Sequence, residues 1–232
     1  MWYQLHTLFY FCWMPVYVYI ISAIVIIIGA ILYERKKTKP LYPLLPKHLN
    51  FGKRQITLLR TLELLNERKA KILLETGIAR KGILQTRADG ASTIVFGTWA
   101  KKNNAHLYSV DIDPVATQMA GEAIAHLGLN KYVTPVTSDS VSYLKGFDQK
   151  VDFLYLDSYD FPKGDTDGQR KSQEHHLKEF RAIENQLHDR SIVLIDDCRL
   201  PNGGKGKLVM DYLLANGWKI ELKKYQNLLV KA

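Results

Sequence analysis

The stretch SIVLIDDC, Ser191–Cys198, is an apolar run of Ile, Val and Leu that ends in two adjacent carboxylates, Asp196 and Asp197. Like charges at the edge of a dry sheet cost several kcal/mol unless something neutralises them. The same arrangement recurs along the chain. KILLE ends in Glu75, HLYSVD in Asp111 and FLYLD in Asp157, while Asp139 follows YVTPVT within TSDS. In an open α/β sheet, ligands bind beyond the carboxyl ends of the strands, where all of these acids are expected to sit.

Their types suggest what would bind. An acid at the end of the second strand, here Asp111, can accept both hydroxyls of a ribose. Asp139 is placed to meet an adenine amino group. Gly77 lets the backbone come close to a ligand, and the helix opened by Ser92 and Thr93 attracts a carboxylate at its N-terminus. The stretch ETGIARKGILQTRADGAST spaces Gly77, Gly82 and Gly90 too widely for the pyrophosphate-cradling G-x-G-x-x-G turn, which argues against a nicotinamide cofactor. A ligand with carboxylate, ribose and adenine but no phosphate fits S-adenosylmethionine.

The elements that must position these groups alternate from Lys71 onward. Strand-like KILLE, HLYSVD, YVTPVT, VDFLYLD and SIVLID are separated by helical stretches such as STIVFGTWAKK, VATQMAGEAIAHL and SQEHHLKEFRAIENQL. KLVMDYLLANG reads as one more helix, and WKIELKKYQNLLVKA as two strands across a turn. Strands separated by amphipathic helices predict an α/β, doubly wound, mainly parallel sheet. A leading helix is expected over Gln55–Lys69, with Ile56, Leu59, Leu62 and Leu65 on one face.

LLETG, GAST, YSVDIDP, FLYLDSYDF and SIVLIDD occur in the order seen in class I S-adenosylmethionine-dependent methyltransferases. Over Lys71–Ala232 the chain resembles the metal-dependent O-methyltransferases of the catechol and macrolide-sugar types, and the cephalosporin-hydroxylase-like relatives. The resemblance implies a Rossmann-like seven-stranded sheet whose last strand inserts antiparallel. It also implies a cofactor site of Glu75, Gly77, Ser92, Thr93, Asp111, Ile112, Asp139 and Ser140. Asp157, Asp196 and Asp197 would hold a divalent cation, best Mg²⁺, which would bind and acidify an acceptor hydroxyl. Asp160 stands where the catechol type carries a lysine base, and with Asp157 is a catalytic candidate. Residues Ile78–Asp89 are an insertion relative to the compact glycine loop of that type. His175 and His176 are expected near a helix surface, with a role as base or substrate contact as the alternative. Lys205 and Lys207 in PNGGKGK are expected on a solvated loop, with contact to an acidic substrate as the alternative.

Before this domain lies MPVYVYIISAIVIIIGAILY, Met14–Tyr33, an uncharged stretch long enough at ~1.5 Å per residue for a hydrocarbon core of about 30 Å. Trp13, Tyr17, Tyr19 and Tyr33 resemble interfacial anchors, and Arg35-Lys36-Lys37 with Lys39 predicts a cytoplasmic C-terminal side. The expected organisation is a membrane anchor at 1–38, a Pro-containing linker and leading helix at 39–70, and the catalytic domain at 71–232. Cys12 and Cys198 offer no internal disulfide framework, so a reducing compartment fits. The net charge of +9 is spread along the chain, without a coherent stripe or interleaved aromatics, so nucleic acid is not the expected partner. The expected function is a membrane-tethered, Mg²⁺-dependent O-methyltransferase acting on a small-molecule, sugar or lipid-linked acceptor. Two alternatives remain: a hydroxylase-like enzyme on the same fold, and a membrane-bound basic binding module without catalysis.

Overall fold

The computed structural model describes residues 16–37 and 41–231. The chain divides into two compact units, Met1–Lys39 and Pro40–Ala232. The first holds helix α1 (Val16–Lys37), which carries most of the apolar stretch. Among the described residues no helix is long and apolar enough to cross a membrane. This overturns the expected transmembrane helix, the single-pass membrane localisation and the cytoplasmic placement that followed from it. Glu34 and the basic cluster follow the apolar stretch within the same helix. Cys12, Trp13, Met14 and Lys39 lie outside the described residues.

The second unit opens with residues whose prolines suggested a stiff linker. Leu41, Leu45 and Phe51 are instead buried, packing with Leu58 and Leu65 of α2 (Gln55–Arg68) into the main core. There follow β1 (Ile72–Thr76), α3 (Thr86–Asp89), α4 (Ser92–Asn103), β2 (His106–Asp111), α5 (Pro114–His126), β3 (Val133–Thr137), α6 (Ser140–Lys145), β4 (Val151–Leu156) and α7 (Thr166–Ile183). The chain ends with β5 (Leu187–Ile195), α8 (Lys207–Ala215), β6 (Trp218–Lys223) and β7 (Asn227–Lys231).

These strands form one seven-stranded sheet of order β3-β2-β1-β4-β5-β7-β6. The first five run parallel, while β7 pairs antiparallel with both β5 and β6. Helices cover both faces, so the central strands read as continuous apolar runs. Leu73, Leu74, Phe153, Leu154, Ile192 and Val193 have no exposure. Chain order reverses between β1 and β4, and the carboxyl ends of β1, β2, β4 and β5 open around that switch point.

Candidate active site

Five acids stand at those strand ends in three settings. Glu75, the penultimate residue of β1, is fully buried and accepts hydrogen bonds from the hydroxyls of Ser92, Thr93 (2.8 Å) and Ser109 (2.6 Å). Burial pushes its carboxyl up to about 7, against the pull of those three donors. The Thr93 hydroxyl also accepts from the Ala79 amide at 2.9 Å. Glu75, Ser92 and Thr93 therefore bind one another and shape the loop after β1 from behind. The Gly77 turn has φ +85°, and an added Cβ would lie 2.5 Å from the Asp157 carbonyl oxygen. Its close approach is to the β4 end, which brings Asp157 beside the loop that follows β1.

Asp111, at the end of β2, is nearly buried and held by two amides, Ile78 N to Oδ2 (3.1 Å) and Asp113 N to Oδ1 (2.9 Å). Beside it a cavity of about 290 Å³ is lined by Val110, Asp111, Ile112, Asp139, Ser140, Ser158, Tyr159 and His175. Asp139 caps α6 by accepting from Ser142 N at 2.8 Å, and that contact holds its carboxyl below the usual range. Ser140 pairs with His175 Nε2 at 3.2 Å, so the first of the two histidines faces the cavity rather than open solvent. The Ser158 hydroxyl, also on the wall, is buried without a protein partner. An acid at the β2 end, an exposed apolar Ile112 and an unpartnered hydroxyl fit an adenosine, so this donor set suits S-adenosylmethionine.

Asp157, Asp196 and Asp197 converge: one oxygen of each lies within 4.8 Å of the others. Two buried cations are already among them. Arg54, just ahead of α2, donates from Nε (2.8 Å) and Nη2 (2.7 Å) to Asp196 Oδ2, lies 3.5 Å from Asp197 Oδ1 and donates from Nη1 to Ala88 O (3.0 Å). Lys205 Nζ lies 2.7 Å from Asp157 Oδ1 and 3.5 Å from Asp197 Oδ2. Burial works to lower both cations' pKa, but the neighbouring aspartates outweigh it and raise them. Burial and Asp157 push Asp196 up to about 6, opposed by Arg54. Tyr155 donates to Asp157 Oδ2 at 3.2 Å and accepts from Gln226 at 3.0 Å, which fixes the carboxylate from beneath.

Lys205 reaches this position because its loop is pressed onto the end of β5. Asp197 itself takes the left-handed conformation (φ +52°), which Asp tolerates better than most residues. Gly204, at φ +60°, leaves no room for a side chain, since a Cβ there would lie 1.8 Å from the Asp197 carbonyl oxygen. The expected solvated lysine is thus only 4% exposed, whereas Lys207 does stay outside, paired with Asp211. Asp160 is exposed, stands outside the Asp157 cluster and has no hydrogen bond or ion pair among the described residues. His176 is fully buried, with Nδ1 donating to Ser172 O at 2.7 Å and Nε2 unpartnered. Arg54 was not legible in the sequence, because an arginine beside a helix start carries no local sign of the strand ends it will meet.

Mg²⁺ is tested by this arrangement. Asp196 Oδ1 is buried and unpartnered, as a ligand atom would be. Against it, an ammonium sits on Asp157 and a guanidinium on Asp196, supplying two positive charges to three carboxylates. A divalent ion bound by all three would lie within a few ångströms of Lys205 Nζ with no anion left to separate them. The residues as arranged do not fit the expected metal.

Residues 87–198 match a family model described as a methyltransferase domain. No curated protein matches the sequence. Among solved structures, the chain is similar to an S-adenosylhomocysteine-bound methyltransferase from Podospora anserina, at 13% identity and TM-score 0.60 over 95% of this chain and 97% of the other. It is also similar to an O-methyltransferase from Bacillus cereus in complex with S-adenosylhomocysteine, at 12% identity and TM-score 0.53 over 76% and 81%. A candidate caffeoyl-CoA O-methyltransferase from Staphylococcus aureus aligns at 16% identity and TM-score 0.54 over 76% and 83%. With this domain match and sheet order, residues 87–198 carry a methyltransferase domain, set in a sheet of the class I methyltransferase fold. The match spans Asp111, Asp139, Asp157, Asp196 and Asp197, and leaves Arg54, Glu75 and Lys205 outside it.

Proposed function

We propose that the protein is an O-methyltransferase that methylates a hydroxyl of a small-molecule acceptor at Asp157, with Lys205 and Arg54 as the cations of the site. One observation carries this: Asp157 and Ser158 are consecutive, and the first belongs to the charged cluster while the second lines the adenosine-sized cavity. The lipid-linked acceptor was motivated by the membrane anchor and goes with it.

In this reading Asp111 binds the ribose hydroxyls, held in orientation by the Ile78 and Asp113 amides. Ile112 covers one face of the adenine, and Asp139, Ser140 and His175 close its edge. When bound, S-adenosylmethionine supplies an electrophilic methyl group on a sulfonium. Asp157 accepts the hydroxyl proton as the acceptor oxygen is methylated, and Lys205 stabilises negative charge developing on that oxygen. Asp157 is favoured over Asp160 because it is anchored by Lys205 and Tyr155, whereas Asp160 has no partner to fix its aim.

The test is isothermal titration of the full chain with S-adenosylhomocysteine, followed by labelled methyl transfer to a panel of hydroxyl-bearing acceptors. Saturable one-to-one binding and label in ether linkage are expected. Absence of binding removes the cofactor reading; label on nitrogen or carbon removes the oxygen acceptor.

A further inference from the structure

Beside the carboxylate cluster lies a second, more open cavity of about 660 Å³. Its lining is Lys53, Ile56, Lys163, Arg199, Leu200, Lys224 and Tyr225, with four cations and no acid. It is continuous with the site: Lys53 precedes Arg54, Arg199 is two residues beyond Asp197, and the Tyr225 hydroxyl is hydrogen-bonded to Asp197. Tyr225 also lies under two cations, 5.2 Å from Lys53 Nζ and 5.0 Å from the Arg54 guanidinium carbon.

Some cations elsewhere on this unit are balanced by a neighbouring acid. Arg60 bonds Glu63, Glu67 and Glu221; Arg170 bonds Asp167 and Glu174; Lys171 bonds Asp167; Lys207 bonds Asp211. Among the described residues, Lys53, Lys163, Arg199 and Lys224 have no such ion-pair partner. Four like charges around one cavity repel each other and remain uncompensated by the fold. A bound anion would relieve that repulsion, and two or more cations converging on it suit the several oxygens of a phosphate.

We infer that this cavity is the acceptor subsite, and that the acceptor is a small molecule carrying a phosphate or diphosphate. The inference rests on the O-methyltransferase reading and adds the substrate class to it. The phosphate is held by Lys53, Lys163, Arg199 and Lys224, while Ile56, Leu200 and the Tyr225 ring carry an apolar or planar portion. The hydroxyl then points across Tyr225 toward Asp157 and Lys205. The cavity's volume suits a small molecule and not a polymer.

Inorganic pyrophosphate is the probe, titrated into the full chain and into a Lys53→Ala/Arg199→Ala double variant. S-adenosylhomocysteine is titrated into both as a separate report on the cofactor site. Pyrophosphate should bind the wild type and lose at least about tenfold in affinity in the variant, with S-adenosylhomocysteine affinity unchanged, since two charge-assisted contacts are removed. No pyrophosphate binding to the wild type, or equal binding to the variant, overturns the subsite even where S-adenosylhomocysteine binds well. A ten-nucleotide RNA that binds more tightly than pyrophosphate and weakens in the same variant overturns it in favour of a polymer. The four side chains are on the surface, so the variant is expected to fold, and circular dichroism checks this.

Discussion

Lys205 Nζ and Asp157 Oδ1 are 2.7 Å apart, with the lysine side chain 5% exposed and the aspartate 19%. This contact joins the end of β4 to the loop after β5 and places a positive charge where the sequence called for an exogenous one. Removing one member of such a pair leaves the other buried and unbalanced, which is where large effects arise.

The Lys205→Met variant should lose about 3 kcal/mol of folding stability, on the scale of broken buried pairs. It should also gain affinity for divalent cations, because three carboxylates are then balanced by Arg54 alone. In the wild type, removal of metal with a chelator followed by addition of Mg²⁺ should leave the melting temperature and S-adenosylhomocysteine affinity unchanged. Thermal melts and Mn²⁺ titration calorimetry check both. A wild type whose cofactor affinity rises several-fold with Mg²⁺ would show that the ammonium yields to the metal.

Replacing Asp111 by Ala should weaken S-adenosylhomocysteine binding by roughly ten- to a hundred-fold, the range for losing hydrogen bonds to a charged acceptor. Asp160→Ala should change it little. Equal losses in the two variants would mean that the cavity beside β2 is not the adenosine site.

Burial holds His176 at about 4, well under the ordinary imidazole value of 6.5. Its folded pKa is depressed, so between pH 4 and 6.5 the unfolded chain binds the extra proton and stability rises with pH. Glu75 acts in the opposite sense. Its folded pKa of about 7 lies above 4.5, so its contribution is present at low pH and fades as pH rises through that interval. The two are separated by variants: His176→Gln should flatten the acid side of the stability profile, and Glu75→Gln should steepen it. Denaturant melts from pH 4 to 7.5 read this, and parallel profiles for wild type and His176→Gln would show that the imidazole ionises freely.

Gly204→Ala meets both a left-handed backbone and the Asp197 carbonyl oxygen at 1.8 Å from the new Cβ. The β5 end must shift, so a loss of at least about 2 kcal/mol is expected, with Lys205 displaced from Asp157. Gly217→Ala is the control: it has comparable φ (+76°) but nothing within 4 Å, and should cost about 1 kcal/mol from backbone conformation alone. Chemical denaturation of the two variants distinguishes steric collision from dihedral strain.

Local pattern was enough for much of the architecture. Apolar runs ending in acids, separated by amphipathic stretches, determined five strands of a parallel sheet, while the antiparallel last strand followed from the resemblance to class I methyltransferases. Strand ends could be read because alternation and burial act over a few residues, so Asp111, Asp139, Asp157, Asp196 and Asp197 could be located from their own neighbours. The apolar N-terminal stretch misled because composition registers hydrophobicity without registering the bounds of the helix that carries it.

What counterbalances the acids was decided in three dimensions. Arg54 lies 142 residues before Asp196, and Lys205 48 residues after Asp157, so neither partner is visible in any local window. Glycine spacing in PNGGKGK resembles a mobile loop until the β5 end is set against it. Only then does the absence of a Cβ at Gly204 become what drives Lys205 inward. Charge balance in a buried site depends on distances of a few ångströms across the fold, and those distances exist only once the sheet has closed.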